Sequence, residues 1–191
     1  IFISTYMILY SDQLYRLLSA PLKLFEKRNP YREAAIDSLK ENEAQDVIII
    51  GLGRYGGGLA NYLLQRNKSI LGVDFDPGNL DKWHKQGVTV LYGDITDPEM
   101  CEHLPLNSVH WIVSTVRSRE MNITLVRHLK ENKFEGKIAL TASNEKEAGE
   151  FENAGINLVL RPFADAAEQA GDTLTYSMDI LPENLNWPIS F

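Results

Sequence analysis

Two hydrophobic periods alternate along most of this chain, and the switches between them mark its elements. Val47-Ile48-Ile49-Ile50 is an unbroken β-branched run, as a strand buried on both faces requires. Glycines follow it, and then a longer helix-forming stretch. The pattern of apolar run, turn and helical segment repeats down the chain. It predicts strands at 46–50, 69–73, 88–92, 109–114, 137–141 and 157–160. Helices are predicted at 55–66, 77–86, 119–131, 144–153 and from Phe163 to about Tyr176, with a short one near Asp97-Pro98. Pro77 suits a first helical position, where its missing N–H costs nothing, and Gly155 is the expected C-cap of the 144–153 helix. Six β–α units of this length predict an α/β domain. Its six-stranded parallel sheet should be doubly wound, with helices on both faces and strand order 3-2-1-4-5-6.

The pattern differs outside that region. Residues 1–10 are apolar, too short a run to span a bilayer, which takes roughly 20 helical residues. They lack the basic start and small-residue cleavage site of a signal peptide. Two readings stand: a helix buried against the domain or a partner, or the cut end of a membrane helix. In 11–28, Leu14, Leu17, Leu18, Leu22 and Phe25 recur at helical spacing, and Pro21 should kink the helix. Arg16, Lys23, Lys27 and Arg28 surround that face. A basic amphipathic helix suits the cytoplasmic side of a membrane, and equally a charged face on a helix packed against a partner subunit. Asn29-Pro30 breaks it, and the polar stretch that follows is a linker with the domain boundary near Glu43. The chain thus divides into a helical extension (1–43), the α/β domain (44–176) and a tail (177–191) carrying Pro182, Trp187 and Pro188.

The turn after the first strand carries the candidate chemistry. Gly51, Gly53 and Gly56 form G-x-G-x-x-G between a predicted strand and a predicted helix. Gly51 permits a tight turn, Gly53 lets a pyrophosphate approach the backbone, and Gly56 lets the helix lie close on the strand. The unpaired N–H groups of the helix start favour an anion there. The second strand ends on Asp74, 21 residues after Gly53, close to the spacing of an acid that binds ribose hydroxyls. Its charge favours NAD or another adenine nucleotide over NADP. Ligands of such sheets bind beyond the carboxyl ends of the strands. The candidates there are Gly51, Gly53, Arg54, Tyr55 and Gly56 after strand one, and Asp74, Phe75 and Asp76 after strand two. Gly93, Asp94 and Ile95 follow strand three, with Asp94 and Ile95 bordering the adenine, and Thr115 and Arg117 follow strand four. Asp94 and Asp97 equally suit capping of the short helix at Pro98, and Arg117 suits either an anion contact or a solvent-facing ion pair.

Composition narrows the function classes. Net charge is −7 and unevenly placed: residues 1–40 hold 6 Lys+Arg against 4 Asp+Glu, and residues 41–191 hold 13 against 22. An acidic domain argues against a nucleic-acid surface. The single cysteine, Cys101, excludes an internal disulfide or a multi-cysteine metal site. His84, His103, His110 and His128 fall away from the predicted strand ends, and no metalloprotease, P-loop or hydrolase motif occurs. After strand six about 30 residues remain, too few for a substrate domain. A compact single-domain NAD-dependent oxidoreductase is the competing class, but no Tyr-x-x-x-Lys pair follows strand four.

Gly51-Leu52-Gly53-Arg54-Tyr55-Gly56 resembles the G-x-G-R-aromatic-G turn of RCK domains, also called KTN or TrkA-N domains. Asp74-Phe75-Asp76-Pro77 is similar to that family's second-strand end, and Tyr92-Gly93-Asp94-Ile95-Thr96-Asp97 to its G-D-A-T segment, with Ile95 where Ala is usual. Arg119-Glu120-Met121-Asn122 resembles the start of its fourth helix. The similarity covers about 46–174. It implies a Rossmann-like domain that binds NAD(H), AMP or ATP and regulates potassium channels or transporters without catalysis. Residues 1–28 resemble the end of the last membrane helix and the following segment in potassium-efflux-type cation:proton antiporters. That implies a domain on the cytoplasmic face of the membrane, joined to the transmembrane antiporter domain of the same polypeptide. The lack of a second, C-terminal lobe agrees with antiporters that carry the first lobe alone. The resemblance also implies a homodimer. The apolar faces of 1–28 support that, since the predicted sheet is already covered by its own helices.

Overall fold

The structure, a computed structural model, describes residues 45–180. The expected helices of 1–43 and the tail from 181 onward lie outside the described residues. The elements are β1 (Val47–Ile50), α1 (Arg54–Leu64), β2 (Ile70–Asp74), α2 (Pro77–His84), β3 (Thr89–Tyr92), a 3-10 helix (Pro98–His103), β4 (Trp111–Ser114), α3 (Arg119–Glu131), β5 (Lys137–Thr141), α4 (Glu145–Asn153), β6 (Leu158–Leu160) and α5 (Pro162–Ile180). The strands form one parallel sheet in the order β3-β2-β1-β4-β5-β6, as the alternation of elements predicts.

The unbroken apolar run of β1 has a simple cause: both of its faces are covered. Ile48 and Ile50 point to one face, where Leu125 and Leu129 of α3 and Ala148 and Phe151 of α4 pack on them with Met100 and Cys101. Val47 and Ile49 point to the other, against Ala60 of α1 and Leu80 and Trp83 of α2. Each fully buried Ile or Leu contributes about 1.5–3 kcal/mol relative to exposure. This two-sided burial is the main force holding β1 at the sheet centre.

Short polar caps set the helix starts. Asp76 accepts from Gly78 N at 2.8 Å, Asn144 from Glu147 N at 2.9 Å, and Asp97 from Glu99 N at 2.9 Å. Gly155 takes φ +79° just after α4, the left-handed conformation expected of it. At the far end the structure departs from the sequence reading. α5 continues past Tyr176 through Ile180, taking in residues assigned to the tail. No proline intervenes before Pro182, and Thr173, Thr175 and Ser177 return their hydroxyls to carbonyls four residues earlier.

A buried polar cluster locks the carboxyl ends of β4 and β5 together. Asn122 of α3 is fully buried. Its Oδ1 accepts from Ser114 Oγ at 2.6 Å, and its Nδ2 donates to the carbonyls of Val116 at 2.9 Å and Thr141 at 3.2 Å. Thr141 Oγ1 donates to Ser114 O at 2.9 Å. Replacing Asn122 with Leu strands two buried partners and one half-buried carbonyl, so urea unfolding should report a loss of about 2–4 kcal/mol. A loss under about 0.5 kcal/mol, the range of an ordinary surface change, would mean the cluster holds nothing.

Candidate functional site

The turn between β1 and α1 is built by close backbone approach. Gly51 has φ +90°, a conformation other residues rarely adopt, and its N–H donates to Val73 O at 2.8 Å. A Cβ on Gly56 would lie 1.9 Å from Gly51 O and 2.6 Å from Thr115 Oγ1. Gly56 is therefore glycine because α1 starts directly on the end of β1. Gly53 is different: nothing lies within 4 Å of where its Cβ would be. It caps α1 without a side-chain hydrogen bond, and the first turn carries no acidic residue. The helix start thus offers main-chain N–H donors and open space, which suits an anion.

Thr115 sits across the crevice on the β4 side. Its N–H donates to Ile50 O at 2.9 Å, and its Oγ1 to Gly51 O at 2.7 Å. It ties the end of β4 to the turn. Asp74 ties β2 to the same turn. It is only 5% exposed. Its Oδ2 accepts from Leu52 N at 2.6 Å and Asn79 Nδ2 at 3.1 Å, and its Oδ1 from Asp76 N at 2.8 Å. Burying a carboxylate this deeply is costly without such hydrogen-bond partners.

The structure brings the sequence-predicted residues to the carboxyl ends of β1, β2, β3 and β4, but not all in the same manner. Arg54, Tyr55, Phe75, Asp76 and Asp94 are exposed around the crevice. Asp94 Oδ1 accepts from Thr96 N at 2.8 Å and Thr96 Oγ1 at 2.7 Å, closing its own turn, while the cap of the 3-10 helix is Asp97. Ile95 is buried in the core, so only its main chain can border a ligand. Gly93 is also a packing glycine: a Cβ there would meet Val73 Cγ1 at 2.9 Å and Met100 Cγ at 3.0 Å. The Arg117 guanidinium lies 5.8 Å from the centroid of the Phe163 ring at the start of α5. Partial burial, with the Asp165 carboxylate of α5 adding to it, pushes the Tyr55 hydroxyl up.

Three residues at the crevice were missed by sequence reasoning. Asn79 lies five residues beyond Asp74, in the first turn of α2, and a polar residue so close to the strand-terminal acid was a signal that was available. Phe163 and Asp165 come from α5, more than 100 residues after the turn, and no local pattern announces them. A surface hollow of about 840 Å³, lined by His110, Trp111, Lys133 and Lys137 among others, lies at the opposite, amino ends of β4 and β5 and contributes nothing to the crevice. The thiol of Cys101 is pushed up to about 11, first by burial and then by Glu131, which keeps it a protonated core residue. Among the described residues no cluster of His, Cys, Asp or Glu could hold a metal ion, and no helix is long and apolar enough to cross a membrane.

With this geometry in hand, comparison with known proteins is direct: the TrkA-N domain matches residues 47–162. The chain belongs to the TrkA-N domain family. A curated relative, the glutathione-regulated potassium-efflux system protein KefC of Escherichia fergusonii, is 24% identical over 166 residues. The match covers 87% of this chain and 27% of KefC, so the chain spans about a quarter of that relative's length. Among solved structures, the NAD(P)-binding domain of an exopolyphosphatase-related protein from Archaeoglobus fulgidus superposes with a TM-score of 0.61 at 28% identity, over 70% of this chain and 99% of that one. The AMP-bound C-terminal domain of Kef from Shewanella denitrificans superposes at 0.58 and 22% identity, over 68% of this chain and 79% of that one. The fold is thus common to this chain and to both of those solved domains.

The glycine geometry separates two roles within this TrkA-N turn. Gly56→Ala must push α1 off β1, and chemical denaturation should show a loss of roughly 2–4 kcal/mol. Gly53→Ala faces open space at a φ of −63° that any residue adopts, and should cost less than about 1 kcal/mol. Equal losses at the two positions would contradict this division.

Proposed function

We propose that this TrkA-N domain is the nucleotide-sensing regulatory module of a potassium (or sodium):proton antiporter. It lies on the cytoplasmic face of the membrane and belongs to the same polypeptide as the transmembrane part. The observation that carries the reading is the β1–α1 turn. An uncapped helix start with open space at Gly53 stands beside an acid at the end of the neighbouring strand, which suits a phosphate and a ribose. NAD(H) or AMP/ATP is the ligand class. The likeness to KefC and to an AMP-bound Kef domain supports both the ligand and the setting. The crevice regulates by differential binding: a nucleotide that prefers one domain arrangement shifts the membrane part by that difference in affinity. The domain is not an enzyme in this reading, and sustained oxidation of NADH with a panel of carbonyls would refute it.

Asp74 accepts the ribose hydroxyls. Asp74→Asn keeps the size and one acceptor oxygen while removing the charge. Calorimetry should find AMP or NADH binding weakened by roughly 1–3 kcal/mol in a variant that remains folded, because hydrogen bonds to a charged group are worth about that much. Unchanged affinity would remove Asp74 from the site.

The module works as a homodimer. In the sequence, Leu14, Leu17, Leu18, Leu22 and Phe25 recur at helical spacing, and an apolar stripe of that kind calls for cover. α5 adds exposed Phe163, Leu174, Tyr176 and Met178, at 58–74% exposure. A two-fold pair is the commonest way to cover such surface. Light scattering should find a dimer for the full chain and a weaker one for a chain beginning at Glu43. A monomeric full chain would refute the pairing, and equal dimers would remove the N-terminal segment from the interface.

A further inference from the structure

The carboxylate of Asp74 is not a bare acceptor: the protein itself supplies donors to it. Three donors already converge on it, and a carboxylate has about four acceptor positions. Two of the donors are main-chain groups. Leu52 N belongs to the β1–α1 turn and Asp76 N to the residue that caps α2. Neither can leave without moving backbone: Leu52 lies in the turn held by the close approach of Gly56 to Gly51 O, and Asp76 is fixed as the cap of α2 through Gly78 N. The third donor is Asn79 Nδ2, on a side chain that needs only rotation about its own bonds to move away. Asn79 is half-buried in the first turn of α2, and its contact to Oδ2, at 3.1 Å, is the longest of the three.

From this geometry we infer that the Asn79 amide and a ribose hydroxyl compete for Asp74 Oδ2, and that Asn79 is displaced when a nucleotide binds. The inference rests on the nucleotide reading of the crevice above and deepens it. A ribose hydroxyl donating to Asp74 Oδ2 takes over the position of the Asn79 amide. The domain therefore holds a competitor to its own ligand, and the affinity it displays is lower than the pocket would otherwise give. Asn79 tunes the nucleotide concentration at which the domain responds, without changing which phosphates or bases it accepts. The cost appears only with a ligand that brings a hydroxyl to Asp74.

Calorimetric titration of the full chain and of Asn79→Ala with AMP and with 2′,3′-dideoxy-AMP tests this. Asn79→Ala should bind AMP roughly 3- to 10-fold more tightly, the range of one net hydrogen bond, and dideoxy-AMP with unchanged affinity. In the unaltered chain, the Asn79 side-chain amide protons should move in NMR spectra when AMP saturates the protein and stay in place with dideoxy-AMP. Weaker or equal AMP binding by Asn79→Ala would overturn the inference while leaving the nucleotide reading intact. Tightening of both ligands alike would mean a steric opening of the site, and would overturn it too. Should the unaltered chain bind no adenine nucleotide, the inference and the reading beneath it both fail.

Discussion

The contact between the first turn of α1 and the end of β1 governs the rest of the structure. Gly56 lies so near Gly51 O that no side chain fits between them. That approach aims the N-terminus of α1 at the space beyond the sheet. A helix start held there presents main-chain N–H groups and the positive end of a dipole without any lysine or arginine being needed. Thr115 fixes the same corner from the β4 side through Gly51 O and Ile50 O. The crevice therefore forms where β4 and β2 diverge on either side of β1, at the switch point of the strand order.

Asp74 extends that corner into a hydrogen-bonded unit. A buried charge is costly unless it is paired or fully hydrogen-bonded, and here the bonding is supplied by donors from β1–α1, from the β2 end and from α2. Turn, strand end and helix start are consequently coupled through one carboxylate. A ligand that meets this carboxylate acts on all three, which is the kind of differential contact a regulatory domain requires. The Ser114–Asn122–Thr141 cluster plays the equivalent part under β4 and β5, where no charge is used and every polar atom named has a partner.

The two edges of the domain differ in how completely they are covered. α1 and α2 bury Ala60, Leu80 and Trp83 against the sheet. α5 leaves its residues from Phe163 to Tyr176 exposed, apolar ones included. At its start, however, Phe163 lies beside Arg117 and Asp165 influences Tyr55. One end of α5 thus borders the crevice and the rest presents apolar surface outward, so the element that meets the site also carries the uncovered face.

The sequence by itself determined the sheet, its order and the location of the crevice. Those follow from local regularities: β-branched runs such as Val47–Ile50, the glycine spacing from Gly51 to Gly56, and an acid at the end of the second strand. The tight turn at Gly51 and the close helix–strand approach at Gly56 were legible too, because both answer to the backbone of one short turn. The tertiary structure decided what the candidate side chains actually touch. Ile95 turned into the core, Thr115 proved to be a clasp on a carbonyl 64 residues away, and Asp94 closed its own turn. Asp74 was found already engaged by Leu52 N, 22 residues distant, and by Asn79. Spacing along a chain shows which residues can reach one end of a sheet. Which hydrogen bonds they form there depends on burial and on competing donors brought in from other strands, and only the folded arrangement sets those.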